Sequence, residues 1–292
     1  MTKGMGLFVD GINSVCNKQI ITENIPVKIN CGNLQTFVIC LAKKSAERCD
    51  VNMESIKSVF PKAKETVAID ASNINLSSPQ ISYYARYHIK NNIESDFMHM
   101  GRKGAVGCAL SHIQLWRKCV ELNEPIIIVE DDMFLDTQKG EKIQNVVSQI
   151  PKDCDFAGIM YNPVHTESDN CTEQWCEMGV RFAGIQLYYI TPRGATILLR
   201  DALPVVVHID QYIAYVASVL PEFKAMYWKN NIYSFSEMYD DHKNTTLHSG
   251  NLPSIRKILP NENTFYIVFS LGNILLMIFL IVVIVVLLNK KS

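Results

Sequence analysis

Residues Gly101–Asp132 read GRKGAVGCALSHIQLWRKCVELNEPIIIVEDD, and this stretch decides the fold. Within it, Gly107–Asn123 has helical periodicity, with Leu110, Ile113, Leu115, Trp116 and Val120 supplying an apolar face. Pro125 breaks the pattern, and Ile126–Val129 follows as an apolar run of strand length. That run ends abruptly in Glu130, Asp131 and Asp132. In open α/β sheets ligands bind at the carboxyl ends of strands, so the three acids fall where a site is expected. Residues i and i+2 of an extended segment face the same way, so Glu130 and Asp132 can converge on one hard cation, Mn²⁺ or Mg²⁺. Such a cation would also grip a diphosphate and neutralise charge on a leaving group. The same acids equally suit a solvated strand end with capping side chains. Upstream, Gly104 and Gly107 permit a tight turn and close backbone approach, and the helix after them offers free N–H groups to an anion. Ser111 and His112 near its start also fit packed or capping roles. Ser111 lacks the glycine spacing of a nucleophile elbow.

Outward from this block, apolar runs alternate with helix-like stretches. Phe37–Leu41 reads as a buried strand, Glu47–Phe60 as a helix ending before Pro61, and Val67–Ile69 as a short strand. Asp155–Met160 and Gly184–Ile190 read as further strands. Thr191-Pro192 opens a helix over Gly194–Asp201, an N-cap followed by Pro at the first helical position. Strands alternating with helices predict an α/β fold with a largely parallel sheet. The divisions expected are an extension over 1–34, one large domain over 35–248, a linker over 249–264 and an apolar helix over 265–288.

The 292 residues carry 28 basic and 29 acidic side chains, a formal charge of −1. Near-neutrality excludes a polycation, so nucleic acid is not an expected partner. With 48% hydrophobic and 20% charged residues, the composition also excludes disorder or low complexity. The mean hydropathy of +0.06 averages two unlike objects. Phe265–Leu288 contributes about +70 on the hydropathy scale, and the rest averages about −0.2. That uncharged run would span roughly 36 Å as a helix, enough to cross a bilayer with some tilt. Met1–Cys16 includes Asp10 and lacks a signal-peptide core, so the expected topology is a tail anchor with the large domain in the cytosol. Nine scattered cysteines without a CxxC pattern fit that compartment. Cys171 and Cys176 would form a local disulfide were the domain lumenal. The sequons at Asn75, Asn170 and Asn244 are about what chance gives.

The assembled block resembles the signature of glycosyltransferase family 25, which includes bacterial lipooligosaccharide and collagen hydroxylysine galactosyltransferases. Its pattern is a Gly-x-x-Gly-Cys-x-Leu-Ser-His helix, then an apolar strand closing in Glu-Asp-Asp. Phe37–Arg48 (FVICLAKKSAER) resembles the family's opening strand and basic loop, and Ala68–Ala71 a short segment that follows. Gly184–Leu199 (GIQLYYITPRGATILL), then Pro204 and Asp210, resembles its C-terminal strand–helix unit. The resemblance runs from about Gln35 to about His248. It implies a Rossmann-like A-type glycosyltransferase fold, a nucleotide-diphosphate sugar donor such as a UDP-hexose, and a divalent metal. Glu130 and Asp132 would hold the metal, with Asp132 the direct ligand by position. Arg48 and Asp131 would lie beside the donor, with Ser111 and His112 supporting the site from beneath. Inverting transfer needs one general base, for which Asp210 is the candidate, with Glu237 and Asp240 behind it; Asp210 also suits a helix N-cap before Gln211–Leu220.

Two features depart from the family pattern. Cys40 and Ala42 replace the Asn and Asp of its opening strand, although Lys43, Lys44 and Arg48 keep the loop basic. The tail anchor is the other. The leading expectation is a membrane-anchored, metal-dependent transferase moving a hexose, with galactose the candidate, to a glycan, a lipid-linked sugar or a protein hydroxyl. The alternative is a catalytically degenerate domain serving as a membrane or virion structural protein. A metal-dependent hydrolase lacks a second cluster of His and Asp ligands.

Overall fold

The structure, a computed structural model, describes residues 29–41, 46–93, 102–133, 135–161, 170–179, 182 and 184–232. Seven strands form one sheet: β1 (Gln35–Cys40), β2 (Ala63–Val67), β3 (Ile126–Glu130), β4 (Phe156–Tyr161), β5 (Trp175–Glu177), β6 (Ile185–Ile190) and β7 (Ala225–Trp228). Their spatial order is β2-β1-β3-β6-β4-β7-β5. β1 pairs in parallel with β2 and β3, and β4 with β7, whereas β6 and β5 run against their neighbours. The fold is therefore mixed α/β with a mostly parallel sheet.

Among the described residues six helices accompany them: α1 (Ala46–Val59), α2 (Tyr83–Lys90), α3 (Lys103–Leu122), α4 (Thr137–Ser148), α5 (Pro192–Leu199) and α6 (Ile209–Val219). Ile126 to Val129 are fully buried, which explains their unbroken apolar run: both faces of β3 are covered. Ile126, Ile128, Tyr188 and Ile190 pack on one face with Ile113 and Trp116 of α3. Ile127, Val129, Leu187 and Tyr189 pack on the other with Ile56 of α1 and Ile143 and Val147 of α4. Burial of each such aliphatic chain stabilises the fold by about 1.5–3 kcal/mol.

Thr191 caps α5 as the Thr-Pro pair predicts, its hydroxyl accepting from the Gly194 amide at 3.0 Å. Beside that cap the buried Asp155 accepts from the Lys224 amide at 3.0 Å and from Arg193, tying β4, α5 and β7 together.

The expected strand at Val67–Ile69 lies earlier, at Ala63–Val67. It is an edge strand whose Lys64 and Glu65 side chains are exposed, so a search for apolar runs passes over it. Helices α2 and α4 and strands β5 and β7 were not anticipated; α4 is polar enough to read as loop, and β5 and β7 are very short. Among the described residues no helix is long and apolar enough to cross a membrane. The apolar run 265–288, the linker 249–264 and most of the N-terminal extension lie outside them, as do Ala42, Glu237 and Asp240.

Candidate active site

Three elements deliver side chains to one edge of the sheet. β3 ends there at Glu130, β6 begins there because it is antiparallel, and α3 crosses above with Cys108 and His112 four residues apart on one face. The register pairs Val129 with Leu187 and Ile128 with Tyr188, which sets Gln186 opposite Glu130.

His112 is fully buried between Tyr188 and Glu130. Its Nδ1 is 2.8 Å from the Tyr188 hydroxyl and its Nε2 is 3.3 Å from Glu130 Oε1. Trp116 Nε1 donates to the same hydroxyl at 3.0 Å. An indole N–H can only donate, so the hydroxyl proton is left for His112 Nδ1, and the ring then carries its proton on Nε2, facing the carboxylate. Burial pushes the His112 pKa down to about 4, Asp210 opposing this and His208 adding to it. The ring is neutral at pH 7, so its contact with Glu130 is a hydrogen bond and not an ion pair.

The Cys108 thiol faces Glu130 Oε1 at 3.9 Å. Its pKa is raised well above the ordinary value by burial, then by the charges of Glu130, Asp210 and Asp132.

Asp210 does not cap α6. His208 occupies the N-cap position, and Asp210 lies in the first helical turn, where the helix dipole favours a carboxylate. Its Oδ2 accepts from the Gly184 amide at 2.8 Å and sits 3.2 Å from His208 Nδ1. Gly184 has φ of 68°, a left-handed conformation that suits glycine. Burial would raise the Asp210 pKa, but the His208 charge, the hydrogen bonds from His208 and Gly184 and the smaller influence of His112 outweigh it and hold it below the ordinary value. For His208, burial acts downward and is outweighed by Asp210 and Glu130, so its pKa is raised. Across this 3.2 Å contact each group favours the charged form of the other. Asp210 Oδ1 is buried and has no hydrogen-bond partner among the described residues, and the same holds for Gln186 Oε1.

The other expected site residues stand further back. The Asp131 carboxylate faces the Leu41 amide at 3.5 Å, and its carbonyl accepts from Asn52 Nδ2 at 2.7 Å. Asp131 therefore joins the end of β3 to the segment after β1 and to α1. Ser111 accepts from the Ile69 amide at 2.9 Å and donates to the Gly107 carbonyl at 2.8 Å. Both bonds go to backbone, tying the chain after β2 to α3. Arg48 lies in α1, and its side chain is outside the described part of the structure. Cys40 is paired with Cys49, and Cys171 with Cys176.

His208, Cys108 and Gln186 belong to this site and were not singled out from the sequence. For His208 a signal existed, since His-Ile-Asp at a helix start places an imidazole and a carboxylate within reach. Cys108 showed as a position of the signature helix with no role assigned to it, and Gln186 only as a polar residue in an apolar strand.

Comparison with known proteins gives the family. The family model described as glycosyltransferase family 25 (LPS biosynthesis protein) matches residues 33–213. The procollagen lysyl hydroxylase and glycosyltransferase of Acanthamoeba polyphaga mimivirus is 24% identical over 139 residues, 45% of this chain but 15% of that protein. The chain thus spans a small part of that relative's length. It belongs to glycosyltransferase family 25.

Proposed function

We propose that this member of glycosyltransferase family 25 has the A-type fold and moves a hexose, galactose being the candidate, from a UDP-hexose or similar donor. The acceptor would be a hydroxyl of a glycan, a lipid-linked sugar or a protein, and the anomeric centre would invert. The observations supporting this are the family match over residues 33–213 and Glu130 at the carboxyl end of β3, where an α/β fold binds ligands.

Carboxylate oxygens two residues apart at a strand end suit a hard divalent ion, so Glu130 and Asp132 would hold Mn²⁺ or Mg²⁺. When bound, that ion neutralises charge on the departing diphosphate. The remaining steps fall to the chain's own groups. The acceptor oxygen bonds to the anomeric carbon, the bond from that carbon to the diphosphate oxygen breaks, and the hydroxyl proton passes to Asp210. With Oδ2 engaged by Gly184 and His208, the buried Oδ1 is the atom left to take it. His208 keeps the carboxylate ionised. His112 holds Glu130 from below, and Asp131 sets the backbone beside which the nucleotide and Arg48 would lie. The apolar run 265–288 would fix the enzyme to a membrane.

The test is transfer and donor hydrolysis by the full chain in detergent, with a panel of UDP-sugars and Mn²⁺, read by mass spectrometry. One donor should be consumed, and a chelator should abolish turnover. Failure to bind or turn over any donor overturns the reading.

A further inference from the structure

We propose that Cys108, His112 and Glu130 form a three-ligand site for a borderline-soft divalent ion of the zinc class, distinct in chemistry from the oxygen site expected of Glu130 and Asp132. The three ligand atoms lie within 4.8 Å of one another. Cys108 and His112 stand one helical turn apart on α3, above the end of β3. A tetrahedral zinc ion sits about 2.3 Å from sulfur and about 2.0–2.1 Å from nitrogen or oxygen, which requires roughly 3.3 Å between nitrogen and oxygen and roughly 3.5 Å between sulfur and oxygen. The distances here are 3.3 Å from His112 Nε2 to Glu130 Oε1 and 3.9 Å from Cys108 Sγ to the same oxygen. The sulfur–oxygen distance need shorten by only a few tenths of an ångström, and the sulfur lies within 4.8 Å of the ring nitrogen.

Ligand type sets the selectivity. A thiolate and an imidazole favour zinc-class ions, whereas Mg²⁺ and Mn²⁺ favour carboxylates and water. The supporting shell is already assembled, with Trp116 holding the Tyr188 hydroxyl and that hydroxyl orienting His112. On binding, the Cys108 proton leaves to solvent as the sulfur–metal bond forms. The ring proton of His112 moves from Nε2 to Nδ1, where Tyr188 accepts it. Three protein ligands leave one position open. Among the described residues the other His/Cys/Asp/Glu group of comparable size, Cys40, Cys49 and Glu65, has both its sulfurs joined to each other.

An ion held here draws on the oxygen that the hard cation needs, so zinc should inhibit manganese-supported transfer. That consequence rests on the glycosyltransferase reading; the binding itself does not. Co²⁺ titrated into the full chain in detergent is the test, because cobalt bound to a thiolate gives a near-ultraviolet charge-transfer band without any substrate. The expected result is one cobalt per chain, displaced by Zn²⁺, with the band lost in Cys108→Ser. Zinc affinity should fall at least about tenfold in that variant, with circular dichroism confirming its fold, and Tyr188→Phe should weaken the affinity while keeping the band. Absence of the band at saturating Co²⁺ overturns the proposal. So does a band unchanged in Cys108→Ser, which would belong to Cys16 or to the buried Cys31, Cys119 or Cys154. If the cobalt spectrum appears but no donor is turned over, the transferase reading fails and the ion site stands.

Discussion

Tyr188 has one hydroxyl serving two buried partners, so Tyr188→Phe leaves the Trp116 N–H and His112 Nδ1 without a hydrogen bond. Orphaning them should destabilise the fold by about 2–4 kcal/mol, read as a lower urea midpoint at unchanged slope. The His208–Asp210 pair gives a pH prediction. A depressed carboxylate pKa keeps Asp210 in its proton-accepting form to lower pH than a free aspartate, so the acid limb of kcat/KM lies at or below the ordinary carboxylate range. Removing the imidazolium in His208→Gln raises the Asp210 pKa and should move that limb to higher pH, whereas a purely structural His208 would lower activity equally at every pH. The pair's contribution to stability follows the same signs: Asp210's part is lost as pH falls through its depressed pKa, and His208's part as pH rises through its raised one. Glu130 and Asp132 stood out because a carboxylate at the end of an apolar run contradicts its surroundings, whereas Asp210 stood out only by its place after the family-like strand–helix unit. Cys108 and Gln186 were not, because their environment is created by which strand lies beside which.

Among the elements, α3 is fixed by a close approach as well as by its apolar face. A Cβ added at Gly107 would lie 2.5 Å from the Ile69 carbonyl oxygen, and backbone cannot yield as a side chain does. Gly107→Ala should therefore cost about 1–3 kcal/mol and shift α3 off the chain after β2, breaking the Ser111–Ile69 bond. Thermal unfolding checks the first part, and weaker cobalt binding at Cys108 and His112 the second. Buried strands β3, β4 and β6 and the capped α5 could be read from sequence because apolar runs and the Thr-Pro start reflect local physics. β2 exposes its polar residues at an edge, and β5 and β7 are too short to carry a period. Nothing local in β6 announces that it threads between β3 and β4 in reverse, yet that placement puts Gly184 beside Asp210.

For the molecule as a whole, the compartment is a question of thiol chemistry. Cys171 and Cys176 face each other across a small antiparallel bridge next to the sequon residue Asn170. A cytosolic catalytic unit requires both to react with maleimide without prior reduction, and no sugar on Asn170. An oxidised pair together with an endoglycosidase-sensitive mass places the unit in the lumen instead. The reversal of β6 matters here too. A site built only from strands leaving the sheet would receive its variable segments from one direction of the chain. Here the segment between β5 and β6 enters the same edge that β3 leaves, and it does so without holding any of the acids. Its last residue, Gly184, is tied to Asp210 by a 2.8 Å amide bond, so the reversal of β6 couples the start of that strand to α6 at the same end of the sheet.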